Sequence, residues 1–322
     1  MEYRTLGQTG LMVSSICLGT VYFGTQVDLS QSIAIVHAAL DWGVNFIDTA
    51  EIYVRPAYGT SEEAVGQALV GRRDDVILAT KKRYDPGAFR TGGFRDHGLS
   101  RRQIFTAIEG SLRRLRTDYI DLYYAHQPDP EVPLEATLRA FEDLVRSGKV
   151  RYVALSNHAA WQIPHALWIS DRYRLGPLAA VQFLYNLLDR RAEHDLIPAS
   201  QHFGLGLVAY SPLAGGVLTG KYRSGAEIPA DSRAARVGAA AKGRPGHIPV
   251  LSPDNLERAD RLVELAAKWN QTPSRLAIAW NLHQTGITST IMGATTTRQL
   301  EDNVGSAHLR LASEQLDSLA KI

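Results

Sequence analysis

Short apolar runs alternate along this chain with longer stretches whose apolar residues recur at helical spacing. Residues 2–13 come first. Leu6-Gly7-Gln8-Thr9-Gly10-Leu11 sets two glycines between apolar flanks, which predicts a short β-hairpin. Eight strands are then predicted, over Ser15–Thr20, Val44–Asp48, Val76–Thr80, Tyr119–Ala125, Tyr152–Ser156, Ala180–Phe183, Gly206–Tyr210 and Ser289–Met292. Between them Ile33, Val36, Ala39 and Leu40 share a helical face, as do Ile104, Ile108, Leu112 and Leu115 behind a capping Ser100. Thr60-Ser61-Glu62-Glu63 supplies polar capping residues ahead of Val65 and Leu69. Pro133 starts a helix that Gly148 closes. Asp254–Gln284 is helical but splits near Thr272-Pro273, because proline inside a helix costs about 3 kcal/mol.

Strands followed by helices imply parallel pairing. A repeat of about 40 residues per strand–helix unit fits a (β/α)8 TIM barrel with an N-terminal β-hairpin, filling residues 1–322 as one domain. The rival is an open doubly wound sheet, which usually carries Gly-x-Gly-x-x-Gly after its first strand. Leu18-Gly19-Thr20-Val21-Tyr22-Phe23-Gly24 lacks that spacing, so the barrel is favoured. Tyr84–Gly98 and the Gly-, Ala-, Arg- and Pro-rich Tyr222–Ser252 read as long inserted loops at the rim.

Composition changes this picture little. The chain has 322 residues, 45% hydrophobic and 21% charged, ordinary values for a globular protein. A formal charge of +2 gives no reason to expect nucleic acid or an anionic membrane as partner. Cys17 is the only cysteine, so no intrachain disulfide can form, and a cytoplasmic location is expected. Its apolar neighbours Ile16 and Leu18 mark it as core rather than a reactive thiol. Met1-Glu2-Tyr3-Arg4 does not open a basic-then-apolar leader, and no apolar run reaches the ~18 residues of a membrane span.

The chemistry sits where strands end. Asp48 follows Val44-Asn45-Phe46-Ile47, Lys81 follows Val76–Thr80, and His126 follows Tyr119–Ala125. In a parallel barrel these positions share the C-terminal rim, where active sites lie. Tyr53 follows Asp48 on the same rim. A free phenol, with a pKa near 10, donates protons sluggishly at neutral pH. An adjacent ammonium favours the phenolate and lowers that value. Lys81 can supply the charge, Asp48 can hold Lys81, and His126 can orient a carbonyl oxygen. Singly each has a plain alternative: Asp48 a cap, Tyr53 a surface aromatic, Lys81 part of a solvated cluster with Lys82 and Arg83, His126 one of ten histidines. Three consecutive strand ends carrying them together point to a site for carbonyl reduction.

With these residues in view, the chain resembles the aldo-keto reductase superfamily. The matching blocks include Gly43–Tyr53, Ser61-Glu62-Glu63-Ala64-Val65-Gly66, Ala79-Thr80-Lys81, Ser111–Leu115, Asp118–Tyr123 and His126-Gln127-Pro128-Asp129-Pro130. Ser156-Asn157, Gln182–Asn186, Tyr210-Ser211-Pro212-Leu213 and Gly220-Lys221-Tyr222 continue the match, which runs from about Tyr3 to Asn303. The resemblance implies a (β/α)8 barrel binding NADP(H) across its rim. It implies the tetrad Asp48, Tyr53, Lys81 and His126, with Tyr53 as proton donor. It also implies Ser156, Asn157 and Gln182 at the nicotinamide carboxamide and Tyr210 stacked on the ring. Ser211, Pro212, Leu213, Ala214 and Gly215 would wrap the pyrophosphate, with Lys221 and Arg233 near the phosphates. Gly293-Ala294-Thr295-Thr296-Thr297-Arg298-Gln299-Leu300-Glu301-Asp302-Asn303 resembles the adenosine-phosphate segment of a branch with bacterial reductases and potassium-channel β subunits. Gly293, Thr295, Gln299, Asp302 and Asn303 fall there on cofactor positions, as do Thr20, Val21 and Gln26 at the first strand end. Other branches carry Lys or Arg in the 2′-phosphate segment, where Gly293 and Gln299 stand here; Arg298 and Lys221 are the nearby cations.

One departure matters. Family members commonly read Tyr-Gly-x-Gly-x-Ser-Glu-Glu, whereas Tyr53 is followed by the longer Val54-Arg55-Pro56-Ala57-Tyr58-Gly59-Thr60-Ser61. Tyr58, with its own glycine, is a rival to Tyr53, although the step from Asp48 to Tyr53 keeps the family spacing. Trp161, Tyr58 and Tyr22 could wall the substrate mouth. The expected activity is reduction of aldehydes or ketones, sugar-like or secondary-metabolite carbonyls among them, with no metal. The alternatives are a redox-sensing binding module of little turnover, like the channel subunits, and a barrel lyase or isomerase using Lys81 as a Schiff base.

Overall fold

The eight apolar runs form eight parallel strands that close on themselves. In the computed structural model, which describes residues 1–53, 58–82, 98–223, 225–230, 232–237 and 251–322, these are β3 (Ile16–Gly19), β4 (Phe46–Asp48), β5 (Ile77–Lys82) and β6 (Ile120–Ala125). They continue as β7 (Val150–Ser156), β8 (Leu178–Leu184), β9 (Gly206–Tyr210) and β10 (Ile287–Gly293). The order is sequential, and β10 pairs with both β9 and β3 to complete the barrel. Helices cover the outer face and side chains fill the interior, so strand residues are buried on both faces and read as apolar runs rather than alternations.

The interior packs Cys17, Phe46, Ala79, Leu122, Tyr124, Ala154, Ala180, Val208 and Ile291 into one cluster. Cys17 is fully buried there, as its neighbours predicted. The hairpin of β1 (Tyr3–Thr5) and β2 (Met12–Ser14) adds Leu6 and Val13 to the same cluster from the N-terminal end. Gly7 fits that contact because its φ is 56° and a Cβ would lie 2.5 Å from the Ala179 carbonyl. A second, larger cluster joins the outer faces of the strands to the helices.

The helices start and stop where short polar side chains and prolines direct. Ser100 caps Arg101–Leu115, Pro133 precedes Leu134–Arg146, and Thr272 accepts from the Arg275 amide at 3.1 Å to open Pro273–His283. The Asp254–Gln284 stretch is therefore two helices, Pro253–Lys268 and Pro273–His283, as Pro273 requires. The helix Thr60–Ala68 differs from expectation. Gly59, at φ 88°, precedes it without a side-chain cap, and the Ser61 hydroxyl instead donates to the Thr20 carbonyl at 2.8 Å.

Strand limits shift by one or two residues. β4 begins at Phe46, not Val44, because its ladder with β3 and β5 spans only Phe46–Asp48. β5 runs on through Lys81 and Lys82 because both pair with β6. The Val54–Tyr58 insertion and the loops Tyr84–Gly98 and Tyr222–Ser252 lie wholly or partly outside the described residues. Among the described residues no helix is long and apolar enough to cross a membrane, and no group of three or more His, Cys, Asp or Glu could hold a metal ion.

Candidate active site

Asp48 is the last residue of β4, Lys81 lies one residue from the end of β5, and His126 follows β6 directly. All three are buried. Alternation along β5 sends Lys81 into the barrel. There its ammonium donates to Asp48 Oδ1, to the Thr49 carbonyl at 2.9 Å and to Tyr53 Oη at 2.9 Å. A lysine ammonium has three protons, and these three acceptors match them. The Tyr53 hydroxyl faces Asp48 Oδ1 at 3.4 Å. The His126 ring meets the Tyr53 ring edge-on, with centroids 6.1 Å apart at 77°. Tyr58, the rival phenol, is 53% exposed.

Electrostatics within this cluster differ from the sequence expectation in one respect. Burial pushes the Tyr53 phenol up to about 12; the Lys81 ammonium pulls the other way, and Asp48 adds to the rise. Lys81 thus acts with the expected sign, but burial outweighs it. For Lys81 itself, burial alone would lower the pKa, yet Asp48 and Tyr53 raise it above its usual value. At neutral pH the site holds a protonated phenol against a charged ammonium.

Gln182, from β8 across the barrel, donates to Asp48 Oδ2 at 2.9 Å. Nothing local in the sequence announces that bond, which joins residues 134 apart. Beneath Asp48, Thr20 Oγ1 donates to its carbonyl at 3.1 Å, and Ser61 Oγ lies 2.8 Å from Thr20 Oγ1 and 3.0 Å from Thr49 Oγ1. This hydroxyl cluster fixes the end of β4, and it too was not foreseen.

The remaining predicted positions gather around the same rim. Asn157 Nδ2 donates to the His126 carbonyl at 2.8 Å and to Ser156 Oγ at 3.1 Å, while the Tyr210 hydroxyl donates to Asn157 Oδ1 at 2.7 Å. Among the described residues six non-glycines have positive φ. Arg116, Arg174 and Asn270 lie at or just beyond helix C-termini, a common place for that conformation. The other three, Asn157 (φ 59°), Ser211 (φ 57°) and Ala214 (φ 48°), stand on the rim. Backbone held this way costs of order 1–3 kcal/mol and clusters at functional sites. The turn Ser211-Pro212-Leu213-Ala214-Gly215 is tied by the Ala214 amide to the Ser211 carbonyl, and Asn186 Nδ2 donates to that carbonyl as well.

Cations flank this turn. A Cβ on Gly216 would lie 2.9 Å from Lys221 Nζ. Arg233 donates to the Tyr22 hydroxyl at 2.6 Å and lies over its ring. Tyr22 in turn covers Gly293, where a Cβ would come within 3.2 Å of the ring. Val21 and Gln26 lie in the turn after β3, Val21 partly buried and Gln26 exposed. Gln299 Oε1 accepts from both the amide and hydroxyl of Thr295 at 2.9 Å, and Asn303 donates to the Gly293 carbonyl at 3.2 Å. Asp302 pairs with Arg275 at 2.9 Å and accepts from Thr272 at 2.8 Å. Trp161 is 68% exposed.

Comparison with known proteins adds an independent line. The model of the aldo/keto reductase family matches residues 15–322. An uncharacterized oxidoreductase, YrpG, of Bacillus subtilis (strain 168) is 37% identical over all of this chain and 96% of its own length. A probable voltage-gated potassium channel subunit beta of Oryza sativa subsp. japonica is 40% identical, covering 94% of this chain and 90% of its own. The L-glyceraldehyde 3-phosphate reductase of Escherichia coli (strain K12) is 34% identical over 94% of this chain and 87% of its own.

Proposed function

The chain belongs to the aldo/keto reductase family, and on that premise we propose that it is an NADPH-dependent reductase of aldehyde or ketone carbonyls, with Tyr53 as proton donor. The observation that carries this is the Tyr53 hydroxyl 2.9 Å from the buried Lys81 ammonium, with Asp48 and His126 beside it on the barrel rim. Residues 1–322 act as one barrel domain in this reading.

The rim suits a nicotinamide dinucleotide. Asn157 and Ser156 offer amide and hydroxyl groups at strand ends, and Tyr210 offers a ring face beside them. The strained Ser211–Gly215 turn, flanked by Lys221 and Arg233, suits a pyrophosphate. Thr20, Val21, Gln26, Gly293, Thr295, Gln299, Asp302 and Asn303 would line the rest of the cofactor path. Gln182 and Asp48, bonded to each other, would face the nicotinamide end. Bound there, the reduced nicotinamide would supply a hydride. The chain's own part is to orient the carbonyl oxygen with His126 and to deliver the Tyr53 proton to it. Lys81, kept an ammonium by Asp48 and Tyr53, would stabilise the phenolate left behind.

That same protonation argues against Lys81 as a Schiff-base nucleophile, which needs a neutral amine. A redox-sensing module of little turnover is the second reading, favoured by the likeness to the rice channel subunit. The family resemblance places Asn in some such subunits where His126 stands here, which supports turnover.

The test is Tyr53→Phe, assayed for NADPH and NADH oxidation over a panel of carbonyls that includes glyceraldehyde 3-phosphate. Loss of a general acid lowers turnover by about 10²–10⁴-fold, while NADPH still quenches protein fluorescence. Full activity in Tyr53→Phe refutes the assignment. Tight NADPH binding by the unaltered protein with no turnover on any carbonyl favours the sensor.

A further inference from the structure

We propose that Lys82 is a positioning residue for Tyr53, acting through Glu51; this rests on the reading of Tyr53 as proton donor. Neighbouring lysines on β5 face opposite ways, as strand alternation demands. Lys81 enters the barrel, and Lys82 turns outward. Outward is not solvent here: the Lys82 side chain is 4% exposed, and its ammonium lies 2.7 Å from Glu51 Oε1. A lysine is almost never so buried unless it is paired.

Glu51 precedes Tyr53 by two residues. Its side chain is fastened to β5 through Lys82, and its carbonyl accepts from the Gly59 amide at 2.8 Å. The segment that carries Tyr53 is therefore fixed at Glu51 to the strand that carries Lys81, and Gly59 closes onto the same residue. The Tyr53 amide also bonds back to Ala50, so the phenol hangs from a short span with Glu51 at its middle. Lys82 holds the other side of the site as well, because its carbonyl accepts from the His126 amide at 2.8 Å. One residue thus ties the donor's segment and the backbone of His126 to β5.

The nearby buried acid Glu62 has its own partners, Arg114 at 2.7 Å and Thr80 at 2.6 Å. The Lys82–Glu51 pair shares no hydrogen bond with that network among the described residues. Its place is geometric. Lys82 touches neither the phenol nor the position where a carbonyl would sit, but a shift of about 1 Å in a reacting group lowers turnover about 10²-fold.

The experiment compares the full-length protein with Lys82→Met, Lys82→Arg and the double variant Lys82→Met/Glu51→Gln. Four quantities are read: kcat and KM with a carbonyl substrate, NADPH affinity by fluorescence, melting temperature, and hydrogen exchange of a peptide covering residues 48–53. In Lys82→Met, kcat falls by about 10²-fold, NADPH affinity holds and exchange in the peptide accelerates. Lys82→Arg, which keeps the charge, restores most of kcat. The double variant strands no charge, so it regains the melting temperature while kcat stays low; this keeps the inference testable should Lys82→Met fail to fold. A double variant that recovers both stability and kcat reduces the pair to a structural role and overturns the inference. So does unchanged exchange in a folded Lys82→Met. If the unaltered protein binds NADPH yet reduces no carbonyl, the proton-donor reading falls instead.

Discussion

Replacing Lys81 by Met tests the centre of the site. The methionine keeps most of the stem volume but removes an ammonium that donates to Asp48, Thr49 and Tyr53. Asp48, 1% exposed, is left with hydrogen bonds from Gln182 and Tyr53 and no counter-charge. Breaking one side of a buried pair destabilises by about 3–5 kcal/mol. For a domain of this length that corresponds to a fall in melting temperature of about 4–7 °C. Turnover falls as well. Lys81 is what opposes the rise of the Tyr53 phenol, so its loss leaves a still weaker acid and removes the charge that would steady the phenolate. Calorimetry at pH 7, with NADPH oxidation in parallel, reads both effects. The companion Lys81→Met/Asp48→Asn should recover the melting temperature but not the activity. A Lys81→Met protein that melts like the unaltered one at pH 7 and still turns over refutes the buried-pair argument.

Further outcomes follow from the helix Thr60–Ala68 and from the Tyr53 phenol. Gly66→Ala in the helix Thr60–Ala68 should destabilise by about 1–3 kcal/mol or more. Its Cβ would lie 2.2 Å from the Arg114 carbonyl and 2.8 Å from the Leu115 backbone, neither of which can rotate away; an unchanged thermal melt refutes that helix contact. Because burial holds the Tyr53 phenol up to about 12 in the free protein, kcat/KM for carbonyl reduction should stay level through pH 9 and decline only above it. The same shift gives Tyr53 a stabilising share that is full below pH 10 and lost as pH rises towards about 12. A titration of kcat/KM with its alkaline midpoint near neutrality refutes this.

Asp48, Lys81 and His126 were legible because strands buried on both faces are apolar throughout, so the first polar residue marks where each strand reaches the rim. The barrel was legible for the same reason. What was not legible depends on distance across the fold. Val44 is buried and apolar like a strand residue, yet its amide closes onto Ala39 at the end of the preceding helix, and the ladder starts only at Phe46. From sequence, Lys82 reads with Lys81 and Arg83 as a solvated cluster. It is instead buried, because the chain after β4 returns Glu51 to the outer face of β5. The step from Asp48 favours Tyr53 over its rival Tyr58, and the fold sets the Tyr53 phenol against Lys81 while leaving Tyr58 half exposed. The phenol's pKa shows most plainly what pattern lacks. A lysine beside a tyrosine predicts a lowered value, and that attraction is present. Burial reverses the net direction, and burial belongs to the closed barrel rather than to any pair of residues. The free protein therefore holds Tyr53 as a weak but fully protonated donor. Lys81 contributes chiefly when the phenolate forms, where its charge is worth most to the reaction.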